Sequence, residues 1–260
     1  MRVLIGALVV GLFSMCAAIA SDLYDGPLRA GIDELRIIGF SEDGAYFAFE
    51  MYGVDGESGV VFSYFNILDT RTNHLSDYSG IRSSLGDSDP PPPEGRSRID
   101  WVREQAWQLA VPVLDELGFQ HGSVQGRFLV SNSVGEIATE VEFVVYPAFP
   151  LAEEGVILSL RQYETPAPDY CLPDTVAAVD LVLEVLDGTR HVVHSGQDTP
   201  IGPGCPLRFT ISDVMILDAP APGGPTVVAL LNYFHSISHG GLRRVVAIAF
   251  EMPEGAHLVR

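Results

Sequence analysis

The sequence has no lysine. All 15 basic residues are arginine, set against 34 acidic residues, and the formal net charge is −19 over 260 residues. That balance excludes the clustered positive charge by which proteins hold nucleic acid or an anionic membrane surface. GC-rich coding, or an acidic surface suited to salty surroundings, accounts for it better than an acidic patch built for a cationic ligand. Catalytic signatures are missing as well: there is no G-x-S-x-G elbow, glycine-rich phosphate loop, H-E-x-x-H pair or EF-hand pattern. No catalytic residue, metal or cofactor is therefore assigned from motifs. Long apolar runs are equally scarce, and past the first twenty residues none approaches the roughly 20 residues that span a bilayer as a helix.

Those first twenty residues read as an export signal. Arg2 precedes an apolar run from Val3 to Met15, and "AAIAS" supplies small residues for cleavage between Ala20 and Ser21. A lipidated Cys16 is the rival reading, but Met15 is too bulky for that cleavage position; an uncleaved anchor is the other alternative. The mature protein is thus expected in the periplasm or outside the cell, with no membrane span. Of three cysteines, Cys171 and Cys205 remain after cleavage, and an even pair in an oxidising compartment is read as one disulfide.

Along the mature chain the pattern is mainly β. "LRIIGFS", "AYFAFEMYG" and "VVFSYFNILDT" alternate around the turns "EDG" and "VDGESG", so residues 21–80 are expected to form a three-stranded antiparallel sheet. "SDPPPPEG" marks 81–98 as a proline-rich linker. A helix is expected over 99–117, capped by Ser97 and stopped by Gly118, with Ile99, Val102, Ala106, Leu109, Val113 and Leu117 as its apolar stripe. Trp107 falls off that stripe and is expected to be partly buried. Strand-like runs fill 122–254, including "AVDLVLEVLDGTRHVVHS" with its "LDGT" turn. About ten strands and one helix make an α+β, mainly β single domain over 21–260.

The run "GFSEDGAYFAF", closed by "NILDTRTN", resembles a blade of TolB-like and prolyl-oligopeptidase-like propellers. The signature does not recur, and a complete propeller needs roughly 16 or more strands, so antiparallel blade-like sheets packed together are expected instead. A second resemblance covers most of the mature chain. "GFSEDGAYFAFEMYGVDGESG", "YFNILDTRTNHL", the proline-rich break, the alanine-rich helix and the two cysteines are similar to bacterial predicted secreted proteins, domain-of-unknown-function family number 2259. The chain departs from the family's pattern at Met51, where a second acid is usual, and in "HSISHGG" before Arg243 and Arg244. The resemblance implies export and a coherent fold, and no activity.

Candidate sites come from composition at turns. Tyr52, Asp55, Glu57 and Tyr64 place aromatics and acids around one hairpin tip, a candidate binding surface. Asp55, Glu57 and Glu50 could offer oxygens to calcium, but a solvated tip is the stronger reading. His235 and His239 would stand about 13 Å apart on an extended strand, too far to share a zinc, and His191 and His194 point to opposite faces. The leading expectation is a non-enzymatic exported module that binds or scaffolds an envelope or extracellular partner. The alternative is a hydrolase or carbohydrate-active enzyme whose carboxylates meet only in space. Nothing in the sequence sets an oligomeric state.

Overall fold

The computed structural model describes residues 34–56, 58–120, 122, 124–131, 138–143, 156–171, 174–185, 188–196, 205–217, 225–237 and 240–253. The signal segment, with Ala20 and Ser21, lies outside them, as do Glu57, His239 and the first two residues of the "LDGT" turn. The side chain of His235 is likewise outside the description.

The first sheet holds β1 (Glu34–Phe40), β2 (Tyr46–Val54) and β3 (Val61–Asp69) in antiparallel order. Two short strands, β4 (His74–Leu75) and β5 (Ile81–Leu85), both pair with β3, so the sheet has five strands where three were expected. The linker expectation for 81–98 is corrected at its start. Ile81, Ser83 and Leu85 turn inward while Arg82 and Ser84 are exposed, a period-two pattern hidden by the polar composition of an edge strand. The helix α1 runs Arg98–Glu116, with the Ser97 hydroxyl accepting from the Asp100 amide as its N-cap.

Two four-stranded antiparallel sheets follow. One runs in the order β10 (Arg190–His194), β9 (Thr175–Glu184), β8 (Val156–Pro166), β7 (Glu140–Phe143). The other runs β13 (Gly240–Glu251), β12 (Thr226–Ile237), β11 (Pro206–Leu217), β6 (Arg127–Ser131). The β11–β13 sheet is central. Its Ile211, Val214, Ala229, Leu231 and Ile248 pack on Leu158, Val179 and Leu181 of the β7–β10 sheet. Its opposite face, with Met215, Val228, Leu230, Val245 and Ala247, packs on Phe40, Phe47 and Phe49 of the first sheet. The far side of that first sheet buries Ile38, Ala48, Phe65 and Ile67 under Ala106, Ala110 and Leu114 of α1. Helix and three sheets thus stack as four layers with no closed barrel, which bears out packed antiparallel sheets in place of a propeller. Burial on both faces explains the unbroken apolar runs "VVALL" and "VVAIAF".

The expected stripe faces the sheet at Ile99, Val102, Ala106, Val113 and Leu117 and fails at Leu109. Val102, Ala106, Ala110 and Leu114 are buried, whereas Leu109 is 59% exposed. Trp107 is partly buried against Phe65, ring centroids 5.8 Å apart.

The "SEDG" turn between β1 and β2 is held by one carboxylate. The Ser41 hydroxyl and the Ala45 amide both donate to Asp43 Oδ1, at 2.8 and 3.0 Å, and Gly44 adopts φ 71°. The Ala45 amide holds the Asp43 carboxyl below its ordinary value, helped by Ser41 and Arg71 against the opposing effect of burial. Because the folded-state value is the lower one, this support is complete above the unfolded carboxyl value of about 3.9 and is lost as pH falls through the native value. Asp43→Asn is therefore expected to lower Tm at pH 7, with the deficit closing as acid scans pass through the lowered native value. A deficit independent of pH would contradict the assignment.

Cys171, between β8 and β9, is bonded to Cys205 at the entry to β11, with Cα atoms 5.6 Å apart. The bridge is the one expected, within the ordinary separation of about 4.4–6.8 Å. Replacing both cysteines by serine is expected to cost about 3–4 kcal/mol on the chain-entropy account. Urea unfolding of the variant, beside the reduced wild type, measures it.

Candidate functional site

On the central sheet's face toward the first sheet, the apolar surface breaks. Thr210, Asp213, Asn232 and Arg243 stand in line with Met215, Leu230 and Val245, two residues further along their strands or across from them. A β-bulge makes this possible. Ile211 pairs with Leu231 and Asp213 with Leu230, so Ser212 is an extra residue in β11. Were Ser212 paired in regular alternation instead, Asp213 would share the face of Ile211 and sit inside the apolar core against β7–β10.

A cleft of about 550 Å³ opens over Asp213, Asn232 and Arg243. Its apolar walls are Leu35 and Ile37 of β1 on one side and Val124 and Phe128 on the other. Phe128 and Val124 are 46% and 45% exposed, an apolar rim. The walls are tied together by a parallel bridge between Gly39 and Gln125, where the Phe40 amide donates to the Gln125 carbonyl at 3.2 Å. Only glycine fits at 39: φ is 107°, and a Cβ there would lie 2.8 Å from the Gln125 backbone.

The polar groups come from five strands. Asp213 is 7% exposed and accepts from both flanking serines, Ser131 to Oδ1 at 2.8 Å and Ser212 to Oδ2 at 2.5 Å. Asn232 is also 7% exposed; its Nδ2 donates to Thr210 Oγ1 at 3.3 Å, and its Oδ1 is buried with no hydrogen-bond partner among the described residues. Arg243 and Glu34 complete the lining. Apolar walls around a few convergent polar groups are the usual make-up of a small-molecule site.

The residues singled out in the sequence are placed otherwise. Tyr52 and Tyr64 lie on opposite faces of the first sheet: Tyr52 is on the helix side with Glu50, and Tyr64 is beside Phe62, ring centroids 5.1 Å apart. Asp55 closes its own hairpin, accepting from the Ser58 amide and hydroxyl, each at 2.8 Å. Glu50 is not at that tip. It is 1% exposed, accepts from Ser63 Oγ at 3.0 Å, and takes both Nε and Nη2 of Arg103 at 2.8 and 2.9 Å. The Arg103 guanidinium stacks 3.6 Å from the Tyr52 ring centroid. Burial raises the Tyr52 hydroxyl above its ordinary value, and its hydrogen bond to Glu34 adds to the shift. Through that bond Tyr52 reaches the rim of the cleft, although the cleft itself was not foreseen. No group of three or more His, Cys, Asp or Glu among the described residues could hold a metal.

The signal that could have found the cleft is polar residues inside buried runs, Thr210 and Asp213 in "FTISDVMIL" and Asn232 in "LLNYF".

Fold and site together define a layered, mainly β protein with a lined recess beside its central sheet. The chain belongs to the family described as "Predicted secreted protein (DUF2259)", whose model matches residues 48–250. Searches of curated proteins and of solved structures returned no match. No helix among the described residues is long and apolar enough to cross a membrane.

Proposed function

We propose that the chain is an exported binding module whose ligand seats in the cleft between β1 and the Val124–Phe128 wall, acting without covalent chemistry in the periplasm or outside the cell. The observation that carries this reading is the break in the central sheet's apolar face, where buried polar groups meet under apolar walls. A sheet that needed only to be covered would continue its alternation of apolar residues, and local departures of this kind mark functional sites.

Equilibrium dialysis against small molecules extracted from the culture medium, followed by native mass spectrometry, tests it. Wild type should retain a component that Phe128→Ala loses, while Tm stays within a few degrees because Phe128 is a rim residue. Equal retention by Phe128→Ala removes the cleft as the site. Loss on replacing Tyr52, Asp55 and Glu57 with alanine would instead place binding at the hairpin tip.

A second reading follows from Glu34 and Asp213 lining one cleft, since a carboxylate pair flanking a bound sugar is what glycoside hydrolysis uses. Both Asp213 oxygens are engaged by serine hydroxyls, which suits a fixed acceptor better than a group passing protons. Turnover of a glycoside by wild type, abolished in Asp213→Asn, would establish the enzyme in place of the binding module.

A further inference from the structure

Resting on that reading, we propose that the cleft takes a molecule with a cationic, hydrogen-bond-donating head, an ammonium or amidinium group, joined to an apolar body. The buried Asn232 Oδ1 is the starting point: with Nδ2 turned to Thr210, the amide presents an acceptor that none of the described residues satisfies. Native interiors leave few such groups, because each forfeits its hydration without return. Asp213, the neighbouring floor group, is an acceptor too. It stands one row from Asn232, since its cross-strand partner is Leu230 and that of Asn232 is Thr210. Arg243 lies one row further on the other side, two residues before Val245, the partner of Asn232. Rows on one face are about 6.6–6.8 Å apart, so a head between Asp213 and Asn232 is nearer the carboxylate than the guanidinium. Glu34 and Asp213 against Arg243 leave the lining negative by one charge, and at Asp213 and Asn232 a charge-assisted bond from N⁺–H is stronger than one from a neutral donor. Leu35, Ile37, Val124 and Phe128 then take the apolar body.

Three probes of one shape decide between heads: phenethylammonium, phenethyl alcohol and phenylacetate, titrated into ¹⁵N-labelled protein and followed by NMR. Phenethylammonium should bind at least about tenfold tighter than either of the others, equivalent to about 1.4 kcal/mol, and shift the Asn232 side-chain amide. Asp213→Asn keeps a hydrogen-bonding group between the serines but removes the charge, and should erase that preference. The double variant Thr210→Val/Asn232→Leu removes both members of the buried polar pair, so its Tm should not fall, while phenethylammonium affinity drops about tenfold or more. Phenylalanylglycinamide separates two sources of the head: binding tighter than phenethylammonium indicates a peptide amino terminus, and weaker binding a free amine. Equal or tighter cleft binding of the alcohol or the carboxylate, or an unchanged amine affinity in both variants, overturns the cationic head and leaves the cleft a binding site. If none of the probes shifts a cleft resonance, the cleft reading falls with it.

Discussion

Arg103→Met is expected to destabilise the protein by about 3–5 kcal/mol, the range for removing one partner of a buried ion pair. The cost arises at Glu50, not at the helix surface. Glu50 sits in β2 beneath α1, 1% exposed, and its two oxygens receive the Arg103 fork at 2.8 and 2.9 Å. That bidentate contact holds the Arg103 guanidinium above its ordinary value, chiefly through the Glu50 hydrogen bonds. Without it the carboxylate keeps the Ser63 hydroxyl and a longer contact to Arg36, 3.7 Å away with a side chain 48% exposed. Solvent screens that contact and it cannot replace the fork. The stack of Arg103 on Tyr52 goes as well. Glu50→Leu/Arg103→Met, which leaves no charge stranded, should cost less than Arg103→Met alone, and the two urea midpoints compare them directly. Wild-type stability in Arg103→Met would mean that Arg36 neutralises Glu50 unaided.

How much of this was legible in the sequence depends on whether the cause was local. Ser97 as an N-cap, Gly44 in the "SEDG" turn and the β2–β3 hairpin follow from residues within a few positions of one another, and the structure has all three. The disulfide was readable because two cysteines in an oxidising compartment offer one pairing. Layer order was not readable: the runs in β11 to β13 announce burial but not which sheet lies on which face. Glu50 shows the same limit, since a solvated hairpin tip was the stronger reading for it, whereas a helix about fifty residues later supplies its counter-charge. The cleft was the least legible feature. Its lining comes in large part from β1, β6, β11, β12 and β13, and the orientation of Asp213 depends on Ser212 being left out of the pairing as a bulge. Such a bulge becomes visible only once the partner strand is known.

The apolar stripe of α1 gives the second large effect, because two residues of that stripe, as read from the sequence, differ sharply in burial. Val102 is 1% exposed and packs on Val61 and Leu85, between β3 and β5. Leu109 is 59% exposed. Val102 starts the buried set, and adding four at each step gives Ala106, Ala110 and Leu114, so the contact line follows one i, i+4 ridge. Leu109 follows Val102 by seven, which in a straight helix of 3.6 residues per turn places it about 20° away. That small rotation suffices here because alanines at 106 and 110 let α1 approach the sheet closely, and a narrow contact line leaves leucine outside it. Val102→Asp should therefore cost at least about 4 kcal/mol, since it buries a carboxylate in an apolar setting. Leu109→Asp should stay within about 0.5 kcal/mol of wild type. Both substitutions add the same charge to the same helix, so propensity and net charge nearly cancel between them and burial is what the comparison measures. Equal losses in chemical denaturation would mean that α1 meets the first sheet along the broader stripe that includes Leu109.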